Sequence, residues 1–270
     1  MPAPFIVMCA PNGARKGKQD HDRLPITSNE LADCAEAILA AGASIIHVHV
    51  RDDEGGHSLD VDRYRHAIAA IEGRVGDKLV IQVTTEACGI YSPQEQMQLV
   101  RELRPEAVSV ALREICPDLA AEVDAAAFYR WMHDSNIMPQ HILYSVEDVS
   151  RFEILRQSGV IPDPRPFALF VLGRYTDDLT GDVAELDALL QAACEDTIWA
   201  VCCFGKTEHA AVVAAAQNGG HARVGFENNL QLPDGGAAPD NAALVALAVD
   251  SGRESSREPA SADDVRSLLG

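Results

Sequence analysis

Long apolar runs are missing from this 270-residue chain, and so are Cys-x-x-Cys pairs and the glycine pattern of a dinucleotide site. No stretch approaches the ~20 uninterrupted apolar residues that cross a bilayer. No N-terminal signal pattern precedes the first apolar strand, so a cytoplasmic protein without a membrane partner is expected. Bases number 22 against 41 acids, a net charge of −19, which argues against nucleic acid as a partner. An anionic small molecule stays open, because a few local bases can dominate one cleft. The seven cysteines, Cys9, Cys34, Cys88, Cys116, Cys194, Cys202 and Cys203, include no Cys-x-x-Cys pair. Most lie in apolar runs, which fits free buried thiols better than disulfides or a thiolate zinc site. The turn Pro11-Asn12-Gly13-Ala14 after the first strand lacks the G-x-G-x-x-G fingerprint, which ranks a doubly wound sheet second.

What is present is a regular alternation. Apolar strands are expected at Phe5–Ala10, Ser44–Asp52, Leu79–Thr84, Ala107–Leu112, His141–Ser145, Phe167–Leu172, Ile198–Phe204 and Ala222–Phe226. Helical segments fall between them. One opens on the capping box Thr27-Ser28-Asn29-Glu30 and stops at Gly42; another opens on Ser92-Pro93-Gln94-Glu95. The last regular helix is expected over Asn241–Val249. Eight strands alternating with eight helices is the period of a single (β/α)8 barrel, spanning about residues 1–250. Residues 251–270 read as a polar tail or packing arm with a short helix from Ser261.

Active sites of such barrels lie at the C-terminal ends of the strands. Side chains alternate faces along a strand, so His47, His49 and Arg51 share one face of the second strand. Gln82, Thr84 and Glu86 share a face of the third, Ser109, Ala111 and Arg113 of the fourth, and Arg223, Gly225 and Glu227 of the eighth. Polar groups at the ends of apolar strands are costly unless they pair or bind something. Two histidines and a carboxylate are a ligand set for catalytic zinc with an open position, and His47, His49 and Glu227 could supply it. The competing reading makes His47 and His49 a hydrogen-bonded pair and gives Glu227 a structural salt bridge to Arg223 or Arg51. The remaining histidines, His21, His57, His66, His133, His141, His209 and His221, read as surface or satisfied residues.

Four segments together resemble the beta-keto acid cleavage enzymes, zinc-dependent (β/α)8 barrels related to 3-keto-5-aminohexanoate cleavage enzyme. They are Ala10–Arg15, Ala41–Asp52 with its His-x-His-x-Arg-Asp, Phe170–Gly173, and Gly219–Asn229 with its Gly-Gly-His-x-Arg-Val-Gly-x-Glu-x-Asn. The likeness runs in the same order to about Val249. It implies zinc on His47, His49 and Glu227, and acetyl-CoA as co-substrate. The implied reaction turns a β-keto acid and acetyl-CoA into acetoacetate and a new acyl-CoA. It further implies that Arg223 orients the catalytic acid and substrate, that Thr84 stands at a substrate-contacting hydroxyl, and that the chain forms a homo-oligomer, a tetramer favoured. Arg113 is expected to meet substrate from the fourth strand end.

Two departures from the family pattern stand out. Asn228 occupies the position where the prototype carries an aspartate base, so either Glu86 or Glu114 supplies the base, or an already acidic proton leaves with less help. Arg15 stands where the aminohexanoate enzyme has a glutamate for its substrate's ammonium group. Arginine suits carboxylates, so a neutral or anionic substrate tail is expected if Arg15 reaches it; contact with a coenzyme phosphate or with solvent is the alternative. Two rival functions remain beside the cleavage reaction. One is a metal-dependent aldolase or lyase without coenzyme A; the other is a non-catalytic barrel that binds a metal or ligand.

Overall fold

The computed structural model describes residues 3–270. Eight strands close into a parallel barrel: β1 (Val7–Cys9), β2 (Ile45–Val48), β3 (Val80–Thr84), β4 (Ala107–Ala111), β5 (Met138–Leu143), β6 (Phe167–Leu172), β7 (Ile198–Cys203) and β8 (His221–Val224). β1 lies between β2 and β8, with Met8 in register with Ile45 on one side and Arg223 on the other. The C-terminal ends of β2 and β8, at Val48 and Val224, therefore meet at one rim although they lie far apart in sequence. This is the (β/α)8 barrel that the alternation predicts.

The helices that cover the barrel are α1 (Ser28–Ala41), α2 (Val61–Val75), α3 (Pro93–Leu103), α4 (Glu122–Asp134), α5 (Val146–Gln157), α6 (Glu185–Ala192), α7 (Glu208–Gln217) and α8 (Asn241–Glu254), with α9 (Ala262–Leu269) following. Both expected capping boxes form: Thr27 accepts from the Glu30 N–H and Ser92 from the Glu95 N–H. Gly42 ends α1 in the left-handed conformation at φ 102°. No helix among the described residues is long and apolar enough to cross a membrane.

Apolar side chains divide into two cores. One fills the layer between strands and helices; the other fills the barrel itself with Ile45, Val80, Ala107, Met138 and Phe167 from the strand starts. Ala262 and Val265 of α9 join this inner core, so the last helix closes the N-terminal floor of the barrel. Arg257 ties the connecting segment down by donating to the backbone carbonyls of Ala3, Pro4, Ala216 and Gly220.

Boundaries differ from the sequence expectation at several places: β2 ends at Val48, and Val50–Arg51 leaves the barrel to pair antiparallel with His57–Ser58. β5 begins at Met138 rather than His141, with Pro139 inside it. Proline near a strand start is tolerated because only one ladder N–H is lost. β8 ends at Val224 rather than Phe226, because Gly225 takes φ 128° and breaks the pleat. A Cβ there would lie 2.6 Å from the Ala10 carbonyl oxygen, so only glycine lets the two rim loops approach. α8 runs on to Glu254, past Val249.

Candidate active site

His47 and His49 stand at the end of β2 and are buried. The Nδ1 of His47 lies 2.8 Å from Gln82 Oε1 on β3, and the Gln82 amide donates to Gln140 Oε1 at 3.2 Å. Gln140 in turn donates to the Met8 sulfur at 3.3 Å. This chain turns the Gln82 oxygen towards the imidazole, so Nδ1 carries the proton and Nε2 presents its lone pair. Burial holds the His47 pKa down to about 3, with Arg223 and His49 adding to the effect against the pull of Glu227. The ring is a neutral donor.

His49 Nε2 sits 3.0 Å from His47 Nε2. Glu227, just past β8, places its Oε2 3.2 Å from His49 Nε2 and 3.7 Å from His47 Nε2. The ligand atoms of all three residues lie within 4.8 Å of one another. Its Oε1 accepts from Arg223 Nη2 at 3.0 Å. Burial alone would raise the Glu227 carboxyl, but Arg223 first, and His49 after it, hold it well below the usual range. The salt bridge to Arg223 thus takes one oxygen of Glu227, and the other faces the two histidines. Oε2 is buried with no hydrogen-bond donor among the described residues. An ionised oxygen with no donor beside a neutral imidazole lone pair is the environment a divalent cation satisfies, and the N, N, O donor set suits zinc.

Backbone geometry puts the carboxylate there. Gly13 in the loop after β1 has φ 62°, and a Cβ on it would fall 2.5 Å from Glu227 Cγ. Lys16 donates to the carbonyls of Phe226 (2.9 Å) and Glu227 (2.7 Å), and Arg51 donates to the carbonyl of Gly13. Arg51 therefore braces the first loop and leaves Glu227 to Arg223.

Beside the three ligand candidates opens a pocket lined by Thr84, Glu86, Glu114, Tyr144, Arg174 and Arg223 among others. The Glu86 N–H donates to Thr84 Oγ1 at 3.0 Å. The Glu86 carboxylate is gripped by Arg15 at 2.5 Å and Arg174 at 3.4 Å. Burial pushes this carboxyl up, yet His49 and Arg15 bring it net below its ordinary value. Glu114 behaves oppositely: burial and the nearby Glu86 raise it, although the Ala87 N–H donates to it at 3.1 Å. Arg15 opens onto an adjoining pocket with Lys16 and Arg174.

Two sequence candidates lie away from this space. Arg113 does not line the pocket; it pairs with Asp148 at 2.6 Å and lies over the rings of Tyr144 and Tyr175. Asn228 is buried behind Arg223, accepting from it at 3.4 Å and donating to Glu208 at 3.4 Å. Of the other histidines, His221 accepts from the Ile6 N–H at 3.0 Å and His57 faces the Glu86 carbonyl at 2.8 Å. His141 is neither surface nor satisfied, since it is buried with both ring nitrogens unpartnered. The seven cysteines are free, and Cys194 among them is exposed. Sequence reasoning missed Arg174, Tyr144 and Glu208. Arg174 follows Gly173, whose φ of 77° breaks the strand alternation on which facing residues are read.

Residues 4–270 match the family model for beta-keto acid cleavage enzyme. The chain belongs to this family. It is accordingly an enzyme acting on β-keto acids. It is 29% identical to a 3-keto-5-aminohexanoate cleavage enzyme of Fusobacterium nucleatum, over 98% of this chain and 97% of the relative. It is 27% identical to a 3-oxoadipate:acetyl-CoA acetyltransferase of Cupriavidus necator, covering 100% and 96%. Among solved structures, the oxaloacetate complex of ObcA superposes with a TM-score of 0.71 at 16% identity, covering 92% of this chain and 67% of that one, which speaks for the fold alone.

Proposed function

We propose that this member of the family exchanges acyl groups between a β-keto acid and acetyl-CoA, giving acetoacetate and a new acyl-CoA, with zinc held by His47, His49 and Glu227. The relatives named for acetyl-CoA transfer support the co-substrate. The observation that carries the reading is the unpartnered Glu227 Oε2 facing the His47 and His49 nitrogens at the barrel mouth. When bound, the ion supplies Lewis-acid polarisation of the keto oxygen and stabilises charge as the neighbouring carbon loses its proton.

Glu114 takes that proton, because its raised carboxyl is better matched to the task than Glu86, whose charge two arginines hold. The carbanion attacks the acetyl carbonyl and coenzyme A leaves as thiolate. The thiolate then adds to the original keto carbon, and the bond between that carbon and the substrate's CH₂ carbon breaks. Glu114 returns its proton to the acetoacetate carbon, so no redox partner is needed. Arg223, buried and kept charged, faces the developing oxyanions. Thr84 and Tyr144 supply hydroxyls to orient substrate. A homo-oligomer, tetramer favoured, accompanies this reading from the family resemblance, and a cytoplasmic location is proposed with it.

Zinc-loaded protein given acetyl-CoA and a panel of β-keto acids should release acetoacetate in step with consumption of the keto acid. Cleavage that proceeds equally well without acetyl-CoA would instead establish the aldolase or lyase reading.

A further inference from the structure

The chain carries a net charge of −19, yet the two adjoining pockets at the mouth collect Arg15, Lys16, Arg174 and Arg223 against Glu86, Glu114 and Glu227. Lys16 donates to backbone carbonyls, and Arg223 is buried at the inner end of the site beside Glu227. Arg15 and Arg174 differ, because they share one acceptor: both reach Glu86 Oε1. A single carboxylate oxygen cannot neutralise two guanidiniums. Arg174 lines both pockets, and its side chain is 18% exposed. Its guanidinium lies over the rings of Phe204 (5.5 Å) and Tyr175 (5.7 Å). Its one hydrogen bond among the described residues is the 3.4 Å contact to Glu86, so most of its five N–H groups lack a protein acceptor.

We infer that Arg174, seconded by Arg15, receives a second carboxylate, and that the keto acid of this enzyme is a β-keto dicarboxylic acid. This rests on the β-keto acid reading above. A planar fork held against two rings is pre-organised for bidentate carboxylate binding and lies at the junction between the inner pocket and the outer one. The same donors would take an anionic oxygen of coenzyme A, so the two sources must be separated. Glu86 then serves as the tether that keeps the two guanidiniums side by side, and an ammonium-bearing tail meets two positive charges.

The test compares a β-keto dicarboxylate with a β-keto monocarboxylate of equal chain length and uncharged tail, in wild type, Arg174→Gln and Arg174→Lys, with separate KM values for keto acid and acetyl-CoA. The wild type should prefer the dicarboxylate. Arg174→Gln should cut that preference about 10- to 100-fold through the keto-acid KM, the loss expected for a charge-assisted pair. Arg174→Lys should recover part of it, since the charge remains without the fork. Equal use of both acids by the wild type, or a change confined to the acetyl-CoA KM, overturns the inference. Calorimetry with glutarate against butyrate decides it independently of turnover: glutarate should bind wild type more tightly and lose that advantage in Arg174→Gln. If no keto acid turns over but glutarate still binds through Arg174, the cleavage reading fails and the dicarboxylate site stands. If glutarate binds no better than butyrate, the dicarboxylate site falls.

Discussion

Gln82 does for His47 what no ligand candidate does for itself, by deciding which nitrogen holds the proton. Its amide is itself oriented by Gln140, so two neutral side chains inside the barrel set the tautomer at the mouth. Partners of this kind are worth ~10–100-fold in metal affinity. Gln82→Leu is of similar size and removes the acceptor, leaving the buried Nδ1–H unpaired. It should lower zinc affinity by about that factor while the far-ultraviolet spectrum is unchanged, measured by competition with a chromogenic chelator. An unaltered affinity would mean that His47 does not ligate. Gly13 matters at the same scale for the opposite reason: the absence of a side chain is what admits Glu227.

Loops and helix ends carry the next layer of organisation. Glu208 is the first residue of α7, and its carboxylate accepts from the Gly225 N–H (3.3 Å), Asn228 (3.4 Å) and Asn229 (3.2 Å). It thereby fastens the start of α7 to the loop after β8 and orients Asn228 towards Arg223. Burial pushes the Glu208 carboxyl up to about 8, against the pull of those amides. The folded chain keeps this proton over a range in which the unfolded chain, near its ordinary value of 4.5, has lost it. The contribution to stability is therefore full below about pH 4.5 and is lost as pH rises through about 8. Glu208→Gln stays neutral throughout, so its thermal midpoint should fall less than the wild type's between roughly pH 5 and pH 9. Parallel pH profiles for the two proteins would refute the shifted carboxyl. Asn228→Asp tests the same loop: its new carboxylate would face Glu208 across the present 3.4 Å contact.

At the scale of the whole molecule, the barrel has one polar end and one plugged end. Ala262 and Val265 of α9 close the floor, both buried against Ile45, Val80 and Ala107. Residues 251–270 are thus part of the inner core's boundary, and α9 is not a free tail. Val265→Ala should cost about 2 kcal/mol, the loss of buried methyl groups plus the void they leave, read from the denaturant midpoint. Turnover per folded molecule should stay close to wild type, because the site lies at the opposite end. A drop in activity without a drop in stability would show that the floor communicates with the mouth.

The barrel was legible in the chain because hydrophobic alternation and capping chemistry are local: Thr27-Ser28-Asn29-Glu30 announces α1 whatever lies around it. The pairing of His47 and His49 on one face was equally legible, since strand parity needs only neighbours. Adding Glu227 to them took the barrel reading of the whole chain, because only closure of β1 between β2 and β8 brings the two rims together. The outward swing of Arg113 and the burial of Asn228 behind Arg223 were decided by tertiary packing. So was the double grip on Glu86 by Arg15 and Arg174, residues on loops whose left-handed glycines erase the periodicity. Local sequence determines which face a strand residue takes; only the closed structure determines which charges share it.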